Sequence, residues 1–489
     1  MFFPSIIQPP LGLAYIAAMI KGTHDVQVID ASAENLKFQD IFKRLDAFKP
    51  DVIGITSNIS IAYISCELAL RIKLHMRSVK IVMGGPWATS NANYIIKHKI
   101  ANFVVLGEGE FVFKELLDKL ERGESADTMQ GLVLIGSDGS IKHNPKRDFI
   151  NNLDDLPYPA WELFPPSQKY FNHYRHLPLY PMMITRGCPY GCIHCTKEVH
   201  GYKIRKRSVE NVLGEIKHLI DKFKVREIII VDDNFSFDVK YAEAILDAIY
   251  KAKLNIYLLM PNGLRADTLT PHLLKKMKRA GVYGFAIGVE SGVQSIVKKI
   301  GKNLDLNKAR YAAKIAREHG FLLRAFFILG LPYDSMKTMR QTIQFAKEIN
   351  PHIAYFYIAT LFPGTAMYEI VKNMGHVYEN ALGLLGCQND RTERIYENVP
   401  GVMRDQDKNK DMSIDAGFFY KPVSKFSFGN LKPGDVAKAY KIAVREFYMR
   451  PCKIIDVLST IKSLPELKWV MHYFIISIFN IFTRFSSDQ

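Results

Sequence analysis

The chain has few cysteines, and they are badly placed for cross-linking. Of six in 489 residues, Cys188, Cys192 and Cys195 crowd into one short stretch, while Cys66, Cys387 and Cys452 stand alone. A disulfide framework is excluded, and a reducing, cytoplasmic setting is expected. No charged segment leads into a short apolar run at the N-terminus, so no secretory leader is expected. No uncharged apolar run reaches the ~18 residues of a membrane span. Acidic residues are in deficit: Lys plus Arg number 65 against 49 Asp plus Glu, a formal net charge of +16. That excess suits lipid headgroups, nucleic acid or phosphorylated substrates, or simply a well-solvated surface.

What is present is alternation. Apolar runs bounded by turn residues occur at 24–29, 51–56, 79–85 and 102–107, with helix-like stretches such as 60–77 and 110–121 between them. Buried parallel strands alternating with helices make a doubly wound, Rossmann-like sheet, whose ligands sit at the carboxyl ends of the strands. Those ends carry "SNIS" (57–60), "GGP" (84–86) and "GEGE" (107–110). A proline-rich stretch, 151–166, reads as a linker. Strands are then expected at 181–186, 226–232, 254–260, 283–289, 322–328 and 353–360, with helices such as 208–223, 238–252, 271–280 and 306–319. Six such units suggest a partial (β/α)6 barrel with its chemistry at the carboxyl rim. The expected division is 1–145, a linker over 146–177, a barrel over 178–375 and a mainly helical segment over 376–489. The charged run 404–411 lacks the glycine and terminal glutamate of a calcium loop and reads as solvated. The apolar segment 467–485 suits a helix in a membrane interface or one docked on the protein's own core, and both stay open.

The chemistry concentrates in "CPYGCIHC" (188–195), where the three cysteines stand at C-x3-C-x2-C spacing just after the first barrel strand. A structural zinc site takes four ligands, and His194, adjacent to Cys195, is poorly placed to be the fourth. A cubane iron-sulphur cluster also usually takes four thiolates. Held by only three, it keeps one iron open to a substrate or cofactor. Gly191 and Pro189 suit a tight loop around an inorganic core.

This motif, at the end of a barrel's first strand, resembles the radical S-adenosylmethionine enzymes. The resemblance covers about 178–375 and implies a 4Fe-4S cluster on Cys188, Cys192 and Cys195, with S-adenosylmethionine on its open iron. It further implies reductive cleavage to a 5'-deoxyadenosyl radical and a reductant such as flavodoxin or ferredoxin. His194 stands where the family usually has an aromatic residue. The rims after the second, third and fourth strands then supply Asp232, Asp233 and Asn234, Arg265, and Glu290 with Ser291 as cofactor contacts. Arg265 is expected to meet the cofactor carboxylate or a neighbouring acid. No catalytic residue beyond the cluster is assigned.

The N-terminal sheet resembles the cobalamin-binding domain that precedes the barrel in one branch of that superfamily. "PPLGLAYIAA" (9–18) and "LDDLPYPA" (153–160) carry the likeness with the glycine motifs. It implies cobalamin contacts at Ser57, Gly84, Gly85, Pro86, Gly107, Glu108 and Gly109. There is no D-x-H-x-x-G motif, so no histidine is marked as a cobalt ligand. The domain's opening strand, which normally precedes the proline pair, is missing from the expected pattern.

The function implied is methylation of an unactivated carbon of a hydrophobic or lipid-like substrate through the adenosyl radical and methylcobalamin. Two alternatives remain: an anaerobic cyclase or rearrangement enzyme acting on a tetrapyrrole or polycyclic lipid without net methylation, and a nonenzymatic cobalamin or iron-sulphur sensor. Peripheral membrane contact is compatible with the charge and the apolar tail. "KIRKRS" (203–208) raises nucleic acid as a partner, but its Lys203, Arg205, Lys206 and Arg207 read equally as solvating a helix start, and nucleic acid is not expected. Cys387 is a candidate for proton or hydrogen transfer at the barrel mouth.

Overall fold

Apolar, β-branched runs too short for helices pair as strands, and the amphipathic segments between them cover the resulting sheets. The computed structural model describes residues 8–170, 175–373, 431–464, 467–468 and 470–471. Its first sheet runs in order β1 (Val52–Thr56), β2 (Lys80–Gly84), β3 (Phe103–Val105), β4 (Leu132–Ile135) and β5 (Ile141–His143). The first three are parallel; β4 and β5 continue antiparallel.

The stretch 24–29 is a correction, since residues 25–30 join no ladder. Val26, Val28 and Ile29 still pack on the cores around them, so the apolar pattern records burial without strand pairing. Asp30 ends the stretch by accepting the Ala33 N–H (3.1 Å) as a helix cap. The strand expected to be missing before the proline pair concerns residues 1–7, which lie outside the described residues.

In the second half, β6 (Leu179–Met182) is followed by two short strands, β7 (Thr185–Arg186) and β8 (Arg205–Lys206). Then come β9 (Glu227–Ile230), β10 (Tyr257–Leu264), β11 (Val282–Glu290), β12 (Leu322–Leu329) and β13 (Ile353–Ile358). Six of these form one sheet in order β13-β12-β11-β10-β9-β6, every neighbouring pair parallel, which is the partial barrel. Two boundaries depart furthest from expectation, the others by one or two residues at an end. The expected strand 181–186 is broken after β6, because the Asp232 carboxylate takes the N–H groups of Ile184 (2.7 Å) and Thr185 (2.9 Å) in place of a neighbouring strand. The expected strand 254–260 runs on to Leu264, because the ladder slips between Met260 and Leu264 and then resumes against Ile287.

Helix Leu11–Ile20 and the linker meet at the junction of the two halves. The Ala160 N–H donates to the Ala14 carbonyl (3.0 Å), and the fully buried Trp161 packs against Phe164 and Tyr180. Asp154 of the linker accepts the Ser208 N–H (2.9 Å) where helix Val209–Phe223 begins. Among the described residues no helix is long and apolar enough to cross a membrane. Cys387, the run 404–411 and most of 467–485 lie outside the described residues.

Helix Pro433–Tyr448 packs on β13, with the Tyr448 hydroxyl donating to the Ala354 carbonyl (2.8 Å). Helix Pro451–Ser459 is pinned to the foot of the barrel, where Asp456 pairs with Arg317 (2.9 Å) and Lys453 donates to the Pro351 carbonyl (2.7 Å). There the His352 ring accepts the Leu323 N–H at Nδ1 (3.0 Å), and burial and the Arg317 guanidinium hold its pKa down to about 4. Because the folded-state pKa lies below the unfolded one, stability is full above pH ~6.5 and falls as pH drops towards ~4, by at most ~3 kcal/mol. Urea midpoints measured across that window for the wild type and His352→Gln should diverge as pH falls. Parallel profiles would remove His352 from the acid response.

Candidate functional site

The cysteines sit on a loop, 187–204, that leaves the partial barrel at β7 and returns at β8. Its first turn requires glycine: Gly187 has φ +92°, and a Cβ there would overlap the Lys203 carbonyl oxygen. Cys188 N–H donates to the Gly201 carbonyl (3.2 Å), and Cys195 N–H to that of Cys192 (3.2 Å). The far side of the loop is held by two other segments. Ile193 N–H donates to the Ile300 carbonyl (3.0 Å), and Met367 N–H to that of Ile193 (2.8 Å). At Gly301, φ is +71° and a Cβ would overlap the Gly191 carbonyl oxygen.

Cys188 and Cys192 are half-buried and Cys195 is exposed. Burial pushes the Cys192 thiol above its ordinary range, against the pull of the Lys302 ammonium. Lys197 donates to Cys195 Sγ (3.4 Å). Among the described residues no three His, Cys, Asp or Glu side chains converge as the ligands of one ion would. Thiolates of a cubane each bind a different iron, so cysteines spread along a loop suit a multi-iron core.

The rim residues divide into those tied to the protein and those with capacity to spare. Asp232 also accepts the Thr185 hydroxyl (2.8 Å), and burial raises its carboxyl to about 7. Asp233 accepts from the Gly187 N–H (2.8 Å) and pairs with His200 Nδ1 (2.9 Å). Burial opposes its ionisation, but His200 and that N–H keep its pKa below the usual range. Arg265 meets the neighbouring acid: it pairs with Asp267 (2.9 and 2.7 Å), donates to the Lys302 carbonyl (2.8 Å) and stacks 3.7 Å over the Tyr190 ring of the cysteine loop. Ser291 is fully buried, and its Oγ accepts the Val293 N–H (3.2 Å). Glu290, at φ +69° where β11 slips register, pairs with Lys302 (2.8 Å). Two buried atoms facing this region have no partner: Asn234 Oδ1, whose amide nitrogen lies 4.0 Å from Cys188 Sγ, and His194 Nδ1.

At the carboxyl ends of the first sheet, Ser57, Gly84–Gly85 and Gly107 come together. Ser57 N–H donates to the Gly84 carbonyl (2.8 Å), Trp87 N–H to that of Ser57 (3.1 Å), and Gly107 N–H to Thr89 Oγ1 (3.1 Å). Gly85, at φ +93°, leads into Pro86 at the start of helix Pro86–Ser90, and Gly109 precedes helix Glu110–Glu121. Ser57 Oγ is buried without a partner. Glu108 is engaged elsewhere, in ion pairs with Arg186 (3.0 Å) and Arg205 (2.7 Å) of the barrel half. The reading of 203–208 as a solvated helix start is corrected on the same ground. Arg205 and Arg207 are buried, Arg207 against Glu215, while Lys203 and Lys206 are exposed, Lys206 beside Asp238. Their alternation along a strand was the available signal.

A three-thiol loop at the carboxyl rim of a partial barrel, with unpartnered polar atoms beside it, fits a cluster that keeps one iron for a cofactor. The buried, unpartnered Ser57 hydroxyl beside a glycine pair fits a large ligand at the rim of the first sheet. Together they define an enzyme of the radical S-adenosylmethionine class with a ligand-binding sheet in front. Comparison with known families agrees: residues 182–346 match the radical SAM superfamily and residues 6–117 the B12 binding domain. An uncharacterized methyltransferase of Pyrococcus horikoshii is 35% identical, over 74% of this chain and 78% of the relative. Cytidylyl-2-hydroxyethylphosphonate methyltransferase of Streptomyces wedmorensis is 27% identical, over 80% and 82%. Among solved structures, the radical S-adenosylmethionine methyltransferase TsrM of Kitasatospora setae, with cobalamin and a 4Fe-4S cluster bound, shares the fold at TM-score 0.63 and 18% identity, covering 76% of this chain and 74% of that one.

The chain belongs to the cobalamin-dependent radical S-adenosylmethionine enzymes. Its cofactors are therefore a 4Fe-4S cluster, S-adenosylmethionine and cobalamin, and it works with a one-electron reductant.

The packing at Gly301 can be tested directly. Gly301→Ala should displace the 191–193 turn, and iron and sulfide bound after anaerobic reconstitution should fall below about half the wild-type amount. Gly123→Ala, at φ +68° with open space around it, carries similar backbone strain without the overlap and should load normally.

Proposed function

We propose that the protein methylates an unactivated carbon of a small hydrophobic or lipid-like substrate. The observation that carries this reading is the approach of the two rims. A Cβ on Gly107 would stand 3.5 Å from the Glu198 carbonyl of the cysteine loop, and one on Gly364 would stand 3.2 Å from Ser90 Oγ and 3.5 Å from the Glu198 side chain. A methyl donor at one rim would then lie close to a radical source at the other, the proximity that radical methylation of an inert carbon requires.

In this reading Cys188, Cys192 and Cys195 hold the cluster. Asn234 Oδ1 and the Glu290–Lys302 pair face S-adenosylmethionine, and Ser57, Gly84, Gly85, Pro86, Gly107 and Gly109 line the cobalamin site. When bound, these cofactors supply the electron, the hydrogen-abstracting radical and the methyl group. The chain's own part is positional. Asp232 and Asp233 fix the backbone of 184–187 just ahead of the first cysteine. Arg265 clamps Tyr190 and the 302–303 segment, steadying the loop from the other side. The glycines let backbone, in place of side chains, approach a broad ligand. The first sheet over 1–145, the linker over 146–177 and the barrel over 178–375 act as separate functional units in this account. Of the 376–489 segment, helices Pro433–Tyr448 and Pro451–Ser459 flank the barrel.

The hydrophobic substrate is supported by the aromatic group Phe326, Tyr355 and Tyr357 along the neighbouring strands β12 and β13, with ring centroids 5.5 to 6.2 Å apart. Anaerobic turnover with methyl-labelled S-adenosylmethionine should give a labelled product heavier by one methylene, together with 5'-deoxyadenosine. The variant with Cys188, Cys192 and Cys195 all changed to alanine should lose iron and reduce both products to background. A product of unchanged carbon count would replace methylation with a cyclisation or rearrangement. An intact, reducible cluster that never cleaves S-adenosylmethionine would turn the protein into a sensor.

A further inference from the structure

The cysteine loop has a narrow neck. β7 and β8 form a two-rung antiparallel ladder in which Thr185 faces Lys206 and Arg186 faces Arg205. Everything between them, including all three cysteines, projects from that neck. Two guanidiniums directly opposite one another, away from water, repel strongly and would splay so short a ladder.

They are reconciled by acids from the other half of the chain. Glu108 Oε1 accepts from Arg186 (3.0 Å) and Glu108 Oε2 from Arg205 (2.7 Å), while Glu110 Oε1 accepts from Arg186 (2.6 Å). These side chains are between 3% and 6% exposed, so solvent screens little of the interaction. Glu108 also accepts the Ile150 N–H (2.8 Å), and Arg205 donates to the carbonyls of Ile150 (2.7 Å) and His200 (2.9 Å). Glu108 alone of the two acids bridges both arms of the neck. It stands between Gly107 and Gly109, in the segment that follows β3.

We propose that Glu108 is a positioning residue that closes the neck of the cysteine loop, so that the barrel holds its cluster loop shut only while the 107–110 segment of the first sheet is docked against it. This rests on the reading of Cys188, Cys192 and Cys195 as cluster ligands. It gives one residue of the first sheet control over the geometry at the other cofactor's site. Glu110, which touches only Arg186, supports one arm.

The test uses the full-length chain, first without cofactors. In hydrogen–deuterium exchange, peptides from 187–204 should exchange at least about tenfold faster in Glu108→Gln than in wild type, with β12 and β13 unchanged. Glu110→Gln should show a smaller change. Because Glu108→Gln leaves two buried cations facing one acid, Glu108→Gln/Arg205→Met, which returns the group to neutrality, should recover much of the lost protection. In reconstituted protein the same order should hold for the rate of iron release to a chelator. Wild-type exchange rates over 187–204 in Glu108→Gln would overturn the proposal, as would uniform loss of protection across the chain that the double variant fails to reverse. Failure of the wild type to take up iron through the three cysteines would instead overturn the cluster reading, leaving the exchange result to stand by itself.

Discussion

Four charges lie at the junction of the two halves with almost no water to screen them: Glu108 and Glu110 from one side, Arg186 and Arg205 from the other. Any one of them left unpaired there would cost several kcal/mol in desolvation, so the group is stable only when complete. Burial works against ionisation of Glu108, yet Arg205, Arg186 and the Ile150 N–H hold its carboxyl below the ordinary range. Such a group specifies position more than it adds stability. The apolar contact alongside it, where Trp161 of the linker sits beneath helix Leu11–Ile20 and against Tyr180 of β6, is tolerant of small shifts. The ion group is not, because its hydrogen bonds weaken steeply with angle. It is therefore what sets the register between a rim built from glycines and a loop built from cysteines.

The polar side chains around the site have a consistent allocation. Asp232, Arg265, Ser291 and Glu108, which the sequence marks as contacts to cofactors, each satisfy other parts of the protein. Capacity is left over at few places: Asn234 Oδ1, His194 Nδ1 and Ser57 Oγ. Cofactors that bring their own charge and reactivity need a rigid cradle more than many direct partners. The residues at the strand ends thus act one step removed, by fixing the turns that carry the cysteines and by keeping rim backbone exposed.

Much of this was legible in the sequence for a definite reason. Strand ends in an alternating fold carry the function, so motifs after apolar runs locate the site even when strand boundaries are off by several residues. The cysteine spacing needed no tertiary information at all. What could not be read depends on who the partner is. The run 24–29 has strand composition but no ladder, and Asp232 breaks a strand by replacing its neighbour's hydrogen bonds. A basic stretch such as 203–208 looks solvated until the acids that bury it are known, and the one that holds Arg205, Glu108, lies 97 positions earlier. Its alternation of buried Arg205, exposed Lys206 and buried Arg207 was visible, but period two alone does not say which face is inside.

The same logic accounts for the strained residue at the site. Glu290 takes a left-handed conformation that costs about 1 kcal/mol or more for a residue of its kind. It does so where β11 slips register against β12, and the turn directs its carboxylate to Lys302, with Gly288 beneath them because a Cβ there would press on both groups. Burial opposes the charge on Glu290, but Lys302 and His194 hold its carboxyl below the usual range, while Lys302 itself is raised. Three thiolates in a half-buried loop bring negative charge together and need cations near them. Lys197 stands against Cys195, and Lys302 and Arg265 act on Cys192. Lys302 would be expelled by desolvation were Glu290 not beside it. A buried ammonium close to the cysteines is thus paired with a carboxylate set on a strained backbone, which ties the strain at β11 to the charge balance of the cysteine loop.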